Sequence, residues 1–210
     1  SGVYTPRSLQ DISLTFLPPG DLKEMANGVV HATTNKTMTK YAKIIAVPEL
    51  REVWLEAMCK ELGRLAQGWG TTKGTDTIQF MTHKEISEIP PDRTVTYARI
   101  VCDFCPQKED PNRVRITVGG NLIDYPYDCS TRTADVTTSK IMWNSVISTQ
   151  GAHYMTADVK NFYLCTPMDR YEFMIMTIDL IPQGFIDKYD LRPKVKNWYV
   201  YLRIIKGMYG

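Results

Sequence analysis

From residue 48 to residue 67 the apolar positions Leu50, Val53, Trp54, Ala57, Met58, Leu62 and Leu65 recur three or four apart. That spacing predicts a helix with one apolar face, either core or a groove for a partner. Pro48 suits its first turn and Gly68 its C-terminal stop. Residues 94–102 and 114–118 follow a different pattern. Both are rich in β-branched residues, and the second alternates Val114, Ile116 and Val118 with Arg115 and Thr117, so both read as strands. Cys105-Pro106 and Asp110-Pro111-Asn112 supply turn chemistry between them, and Gly119-Gly120-Asn121 turns the chain again. Thr133 or Asp135 can cap a second helix running to about residue 149, with Val136, Ile141, Met142, Val146 and Ile147 apolar. Further strand candidates are residues 154–159, 173–180 and 198–205. Helices and strands are mixed without regular alternation, which argues for an α+β fold rather than a doubly wound parallel sheet.

Residues 1–46 lack such a pattern. Pro18-Pro19-Gly20 breaks the chain, and residues 31–40 are mostly Thr, Asn and Lys, so this stretch reads as a flexible arm or linker. Its sequon, Asn35-Lys36-Thr37, would carry a glycan only in a secreted chain.

Composition narrows the function classes without choosing one. The 210 residues are 43% hydrophobic and 23% charged, as in an ordinary globular chain. With 25 Lys and Arg against 23 Asp and Glu, the net charge of +2 argues against a polybasic coat or membrane binder but permits a local basic groove. No apolar run approaches the ~20 residues that span a bilayer, and Ser1-Gly2-Val3-Tyr4 lacks the order of a secretory signal. Cysteines 59, 102, 105, 129 and 165 form no dense framework, so free thiols in an intracellular, reducing compartment are expected.

Asp158 is the most informative single residue. It stands near the end of an apolar strand candidate, where an unpaired carboxylate is costly to bury. A hard oxygen ligand there is what a Mg²⁺ site needs, although an Asp facing solvent or bonding Lys160 would satisfy the same position. Other candidates are weaker. The loop Trp69-Gly70-Thr71-Thr72-Lys73-Gly74 lacks the setting and the ending of a phosphate loop. Cys102-x-x-Cys105 has no second pair at zinc-ligand spacing, with Cys129, Cys165 and His153 scattered. His31 and His83 carry no partner pattern and read as surface residues.

The words around Asp158 add a family. Met155-Thr156-Ala157-Asp158-Val159-Lys160-Asn161-Phe162-Tyr163-Leu164 resembles the first catalytic-aspartate motif of reverse transcriptases of the copia-type retrotransposons. Four further words stand in the family's order. They are Tyr97-Ala98-Arg99-Ile100-Val101-Cys102-Asp103-Phe104, then the run from Asn112 to Gly120, then Ile123-Asp124-Tyr125-Pro126, and finally Lys206-Gly207-Met208-Tyr209-Gly210. The resemblance covers roughly residues 48–210. It implies fingers and an incomplete palm, built on a mixed or antiparallel sheet with flanking helices. The implied divisions are 47–153 for fingers, 154–176 for the palm segment bearing Asp158, 177–203 for a return to the fingers, and 204–210 for palm re-entry.

By the same resemblance Asp158 is the catalytic ligand of two Mg²⁺ ions, and Val159 reaches metal or nucleotide through its backbone carbonyl. Tyr163 is the aromatic gate under the nucleotide sugar. Arg99 is the leading triphosphate contact, with Arg113 and Arg115 behind it, because a guanidinium forks onto phosphate oxygens. Implied partners are RNA or DNA template-primer, deoxynucleotides and the rest of a polyprotein, in a cytoplasmic particle or the nucleus. The family's aromatic-x-Asp-Asp turn does not occur in these 210 residues, nor does its Leu-Pro-Gln motif. Two-metal chemistry needs both acid sources, so this chain alone is expected to bind Mg²⁺ weakly or not at all and to be inactive. Cys105, Tyr127 and Arg132 stand where the family usually has Arg, Gly and Pro. A second reading therefore takes the chain as a non-catalytic module that binds nucleic acid or protein, or as the relic of such a polymerase. With its partner hairpin missing, the strand at 154–159 would also leave an open edge, through which copies of the chain could associate.

Overall fold

The computed structural model describes residues 24–27, 29–30, 37–38, 40–127, 135–155 and 159–209. Its centre is a seven-stranded mixed sheet. The long strand β7 (Val95–Phe104) bonds antiparallel to β8 (Asn112–Val118) along one side. Its other side is shared between two parallel neighbours. Val95–Tyr97 meets β9 (Pro167–Thr177), and Ile100–Asp103 meets β1 (Glu24–Asn27). β9 continues antiparallel into β11 (Tyr199–Lys206), whose far side carries the short strands β6 (Ile78–Phe80) and β10 (Val195–Lys196). Two small hairpins stand apart, β2 (Val29–Val30) with β3 (Thr37–Met38) and β4 (Gly68–Trp69) with β5 (Thr72–Lys73).

Alternation along the strands sets the core. Ile100 and Cys102 of β7, Val114 and Ile116 of β8, Met174 and Met176 of β9, and Val200, Leu202 and Ile204 of β11 are buried together. Helix α2 (Pro48–Leu65) packs on them with Trp54, Met58, Leu62 and Leu65, and α5 (Gln183–Lys188) adds Phe185 and Ile186. The short α3 (His83–Ser87) sets Ile86 in a separate cluster with Met81 and Phe173. Its Thr82 cap and Glu85 form a capping box, in which each side chain bonds the other's backbone N–H. Those bonds, with Arg203 nearby, hold the Glu85 carboxyl below its usual range.

The α+β expectation holds, and the strand expectations at 94–102, 114–118 and 198–205 agree with β7, β8 and β11. Four segments differ. Residues 24–27, 29–30 and 37–38 fall in the expected arm, yet β1 joins the central sheet beside β7, and Val29 of the β2–β3 hairpin is buried in the main core, placements set by distant partners that no local pattern announces. Residues 41–46 were expected in an arm, yet α1 (Tyr41–Ile45) buries Tyr41 and Ile44 in the main core. A five-residue helix is too short to show a period. The strand expected at 173–180 begins earlier, at Pro167, and stops at Thr177, where a 3₁₀ turn over Ile178–Leu180 takes over. Of the strand expected at 154–159, Tyr154, Met155 and Val159 lie in no strand and are exposed, while 156–158 lie outside the described residues. Apolar composition alone does not make a strand. It needs a neighbour to bond, and none of the described strands lies beside these three.

Candidate functional site

Two concavities flank the turn that follows residue 158. The larger, about 1050 Å³, lies between α2, β8 and residues 159–161. Arg113, Arg115, Lys60, Lys108 and Lys160 line it together with Glu52, Glu56, Glu109 and Asp110. The acids temper the basic wall, and one pair is closed already, since the Lys60 ammonium lies 3.0 Å from the Asp110 carboxylate. Both partners are exposed, so that pair contributes little to stability. Val53, an expected core position of α2, is half exposed and lines this cleft.

The smaller cavity, about 740 Å³, is aromatic and apolar. Tyr125, Tyr127, Phe162 and Tyr163 line it with Ile123, Met168 and Met208. Its side wall includes Glu172, buried between two guanidiniums, with Arg93 Nη2 at 3.0 Å and Arg170 Nη2 at 2.9 Å. Arg170 also donates to the Asp124 carbonyl and lies 5.5 Å from the Tyr125 ring centre, which ties the 123–127 loop to β9.

The expected site residues divide between these features. Arg113, Arg115 and the exposed Val159 share the larger cleft, and Tyr163 belongs to the smaller cavity. Arg99 lines neither of them. By register it sits opposite Thr117, and Arg115 and Arg113 sit opposite Val101 and Asp103. The three arginines therefore share the outward face of the β7–β8 pair, opposite the face that buries Ile100, Cys102, Val114 and Ile116. Of the two expected Mg²⁺ ligands, Asp158 lies outside the described residues, while Val159 is exposed on the larger cleft. Among the described residues no three His, Cys, Asp or Glu side chains are grouped to hold a metal ion.

Four of the five sequence words meet in space. Gly207 approaches residue 163 so closely that a Cβ on it would stand 2.7 Å from the Tyr163 carbonyl oxygen. Gly207 N–H donates to the Thr166 carbonyl at 2.8 Å. The Tyr209 ring, on the wall of the larger cleft, meets the Tyr163 ring edge-on at 5.7 Å. Tyr209 C=O accepts from Val118 N–H at 2.8 Å, and Gly119 N–H donates to Tyr97 C=O at 3.0 Å. Gly119 also has no room for a side chain, because a Cβ would lie 2.6 Å from Thr96 Oγ1.

Sequence reasoning missed Glu61 and Arg64. Glu61 is 6% exposed and accepts Ile116 N–H at 3.2 Å, answering a donor on the outer edge of β8. Arg64 binds both oxygens of that carboxylate, at 2.7 and 2.8 Å, and reaches across to Asn161 Oδ1 at 3.1 Å. A signal was available, since Glu61 falls within the apolar stripe, between Met58 and Leu65, where a charge requires a partner.

Cys59, Cys105 and Cys165 are in no disulfide. Burial, with Glu56 adding to it, pushes the Cys59 thiol up to about 12, so it stays protonated and inert. Among the described residues no helix is long and apolar enough to cross a membrane. The chain matches no protein-family model, no curated protein and no solved structure.

Proposed function

We propose that this chain is the fingers and front-palm part of a reverse transcriptase of the copia type, which copies a nucleic-acid template by two-metal nucleotidyl transfer. The convergence of words far apart in the sequence on Tyr163 supports this reading. Gly207 and Tyr209 pack directly on the Tyr163 turn, Val118 bonds Tyr209, and Gly119 bonds Tyr97, so four of the words form one chain of contacts.

In this reading the cleft lined by Arg113 and Arg115 admits phosphates, and Tyr163 closes the space that a 2′-hydroxyl would need. Asp158 and the Val159 carbonyl are the Mg²⁺ ligands. Bound there, the ion would activate the primer hydroxyl and stabilise the leaving pyrophosphate.

The test is primer extension with oligo-dT on poly-rA in Mg²⁺ or Mn²⁺. The polypeptide read through in frame past Gly210 is compared with the 210-residue chain. The longer polypeptide extends primer and loses that activity in Asp158→Asn, while the 210-residue chain is inactive. Extension indifferent to Asp158→Asn, or none from the longer polypeptide, overturns the reading.

A further inference from the structure

Two separate hydrogen-bonded struts run from the C-terminal end of α2 to the turn that carries Tyr163. The first is the side chain of Arg64, held flat by Glu61, whose Nη1 donates to Asn161 Oδ1 at 3.1 Å. Asn161 has a φ of 59°, the left-handed region that Asn tolerates better than most residues, so the bond holds a backbone conformation as well as a side chain. The second strut starts at the Arg64 carbonyl, which accepts Thr75 N–H at 2.8 Å. Thr75 Oγ1 lies 2.7 Å from Thr77 Oγ1, which in turn lies 2.9 Å from the Leu164 carbonyl oxygen.

Each hydroxyl has one proton. Leu164 C=O is served when Thr77 O–H points to it; the Thr75 O–H then bonds either Thr77 Oγ1 or the Arg64 carbonyl, 2.8 Å away, which also accepts Thr75 N–H. Thr77 and Leu164 are fully buried, so no water can replace this relay. The struts land on residues 161 and 164, on either side of Tyr163, and both start at residue 64, one from the Arg64 guanidinium and the other from its backbone carbonyl.

We infer that Thr77 and Arg64 are positioning residues that set the depth of the Tyr163 ring, and through it the sugar selectivity of the site. The selectivity half rests on the polymerase reading, whereas the positioning half stands without it. Thr77→Val keeps the shape and removes the donor; Thr77→Ser keeps the donor. Asn161→Gly removes the other acceptor and still accepts the left-handed backbone.

The experiment has two readouts. Hydrogen exchange on the 210-residue chain follows the Cys165 and Thr166 amides, whose acceptors are the carbonyls of 161–163. Exchange there rises about tenfold in Thr77→Val and Asn161→Gly and stays normal in Thr77→Ser. In the read-through polypeptide, Thr77→Val raises ribonucleotide over deoxynucleotide incorporation severalfold, mainly through the ribonucleotide KM, and Thr77→Ser restores discrimination.

Unchanged exchange in both Thr77→Val and Asn161→Gly overturns the positioning. If Thr77→Val unfolds, Asn161→Gly and Thr77→Ser decide it. Faster exchange with unchanged discrimination in an active polymerase overturns the selectivity role alone. Faster exchange in the chain with no activity in the wild-type read-through polypeptide upholds the positioning and refutes the polymerase reading.

Discussion

Helix α2 starts at Val47 without a side-chain cap and buries eight residues, whereas α4 (Val136–Ser148) starts from a capping Asp135 and buries none. Both have an apolar stripe. In α2 the stripe lies on the sheet, and its stability comes from area removed from water. In α4 the stripe faces outward, with Trp143 58% and Ile147 82% exposed. What holds its first turn is Asp135, whose carboxylate accepts from Thr138 N–H at 2.7 Å and from the Thr138 hydroxyl at 3.1 Å. Periodicity reports that a helix forms and which face is apolar. It does not report what that face meets.

The sharpest way to break the contrast is to remove the large side chain from each helix. Trp54→Ala should destabilise the chain by about 3–5 kcal/mol, because the indole is fully buried in the main core. Urea unfolding followed by far-UV circular dichroism measures it, and a loss below ~1 kcal/mol would mean that α2 is not the anchor of the core.

Glu61→Gln tests the charge inside the α2 stripe. The amide oxygen can still take Ile116 N–H, but Arg64 loses its counter-charge. About 2 kcal/mol is expected, less than for a wholly buried pair, since Arg64 is a quarter exposed. A double-mutant cycle with Arg64→Met measures the coupling.

Acid separates the two helices without mutation. The Thr138 bonds hold the Asp135 carboxyl below its usual value. The stabilisation from this cap is therefore complete above the unfolded carboxyl pKa and lost as pH falls through the folded one. Amide protection at Thr138 should fall on acidification before protection in α2 does, as measured by exchange over a pH series. Simultaneous loss would show that α4 depends on the core after all.

The smallest effect belongs to Trp143→Ala, expected within about 0.5 kcal/mol because no core contact is lost. A loss as large as that of Trp54→Ala would mean that the outward stripe of α4 is covered in solution.

The long elements were legible in the sequence because their periods run for several turns or pleats. The segments that escaped notice are short, such as Tyr41–Ile45 and Ile78–Phe80, where position in the fold and not local pattern decides burial. α3 is a partial exception, since the Thr82-x-x-Glu85 spacing is a readable start signal. For the site, motif order grouped Arg99, Arg113, Arg115, Val159 and Tyr163 around one nucleotide, whereas only Arg113, Arg115 and Val159 line the same cleft and Arg99 lines neither concavity. It could not see that Tyr163 faces a different cavity or that Arg64 reaches Asn161. Those relations depend on side-chain direction across elements distant in the chain.

The parallel contact between Val95 of β7 and Phe173 of β9 sets a limit on how fast the molecule can assemble. A hairpin such as β7–β8 can form as soon as it is made, but the pairing of β7 with β9 must close a long loop that contains β8 and α4. At ~5–20 residues per second of synthesis, β7 waits several seconds with that edge unpaired before β9 exists. Refolding from denaturant should accordingly run on the slow side for its size, with β7–β8 protected first and the β7–β9 pairing last. Nascent chains arrested near residue 160 should be the ones that recruit chaperones.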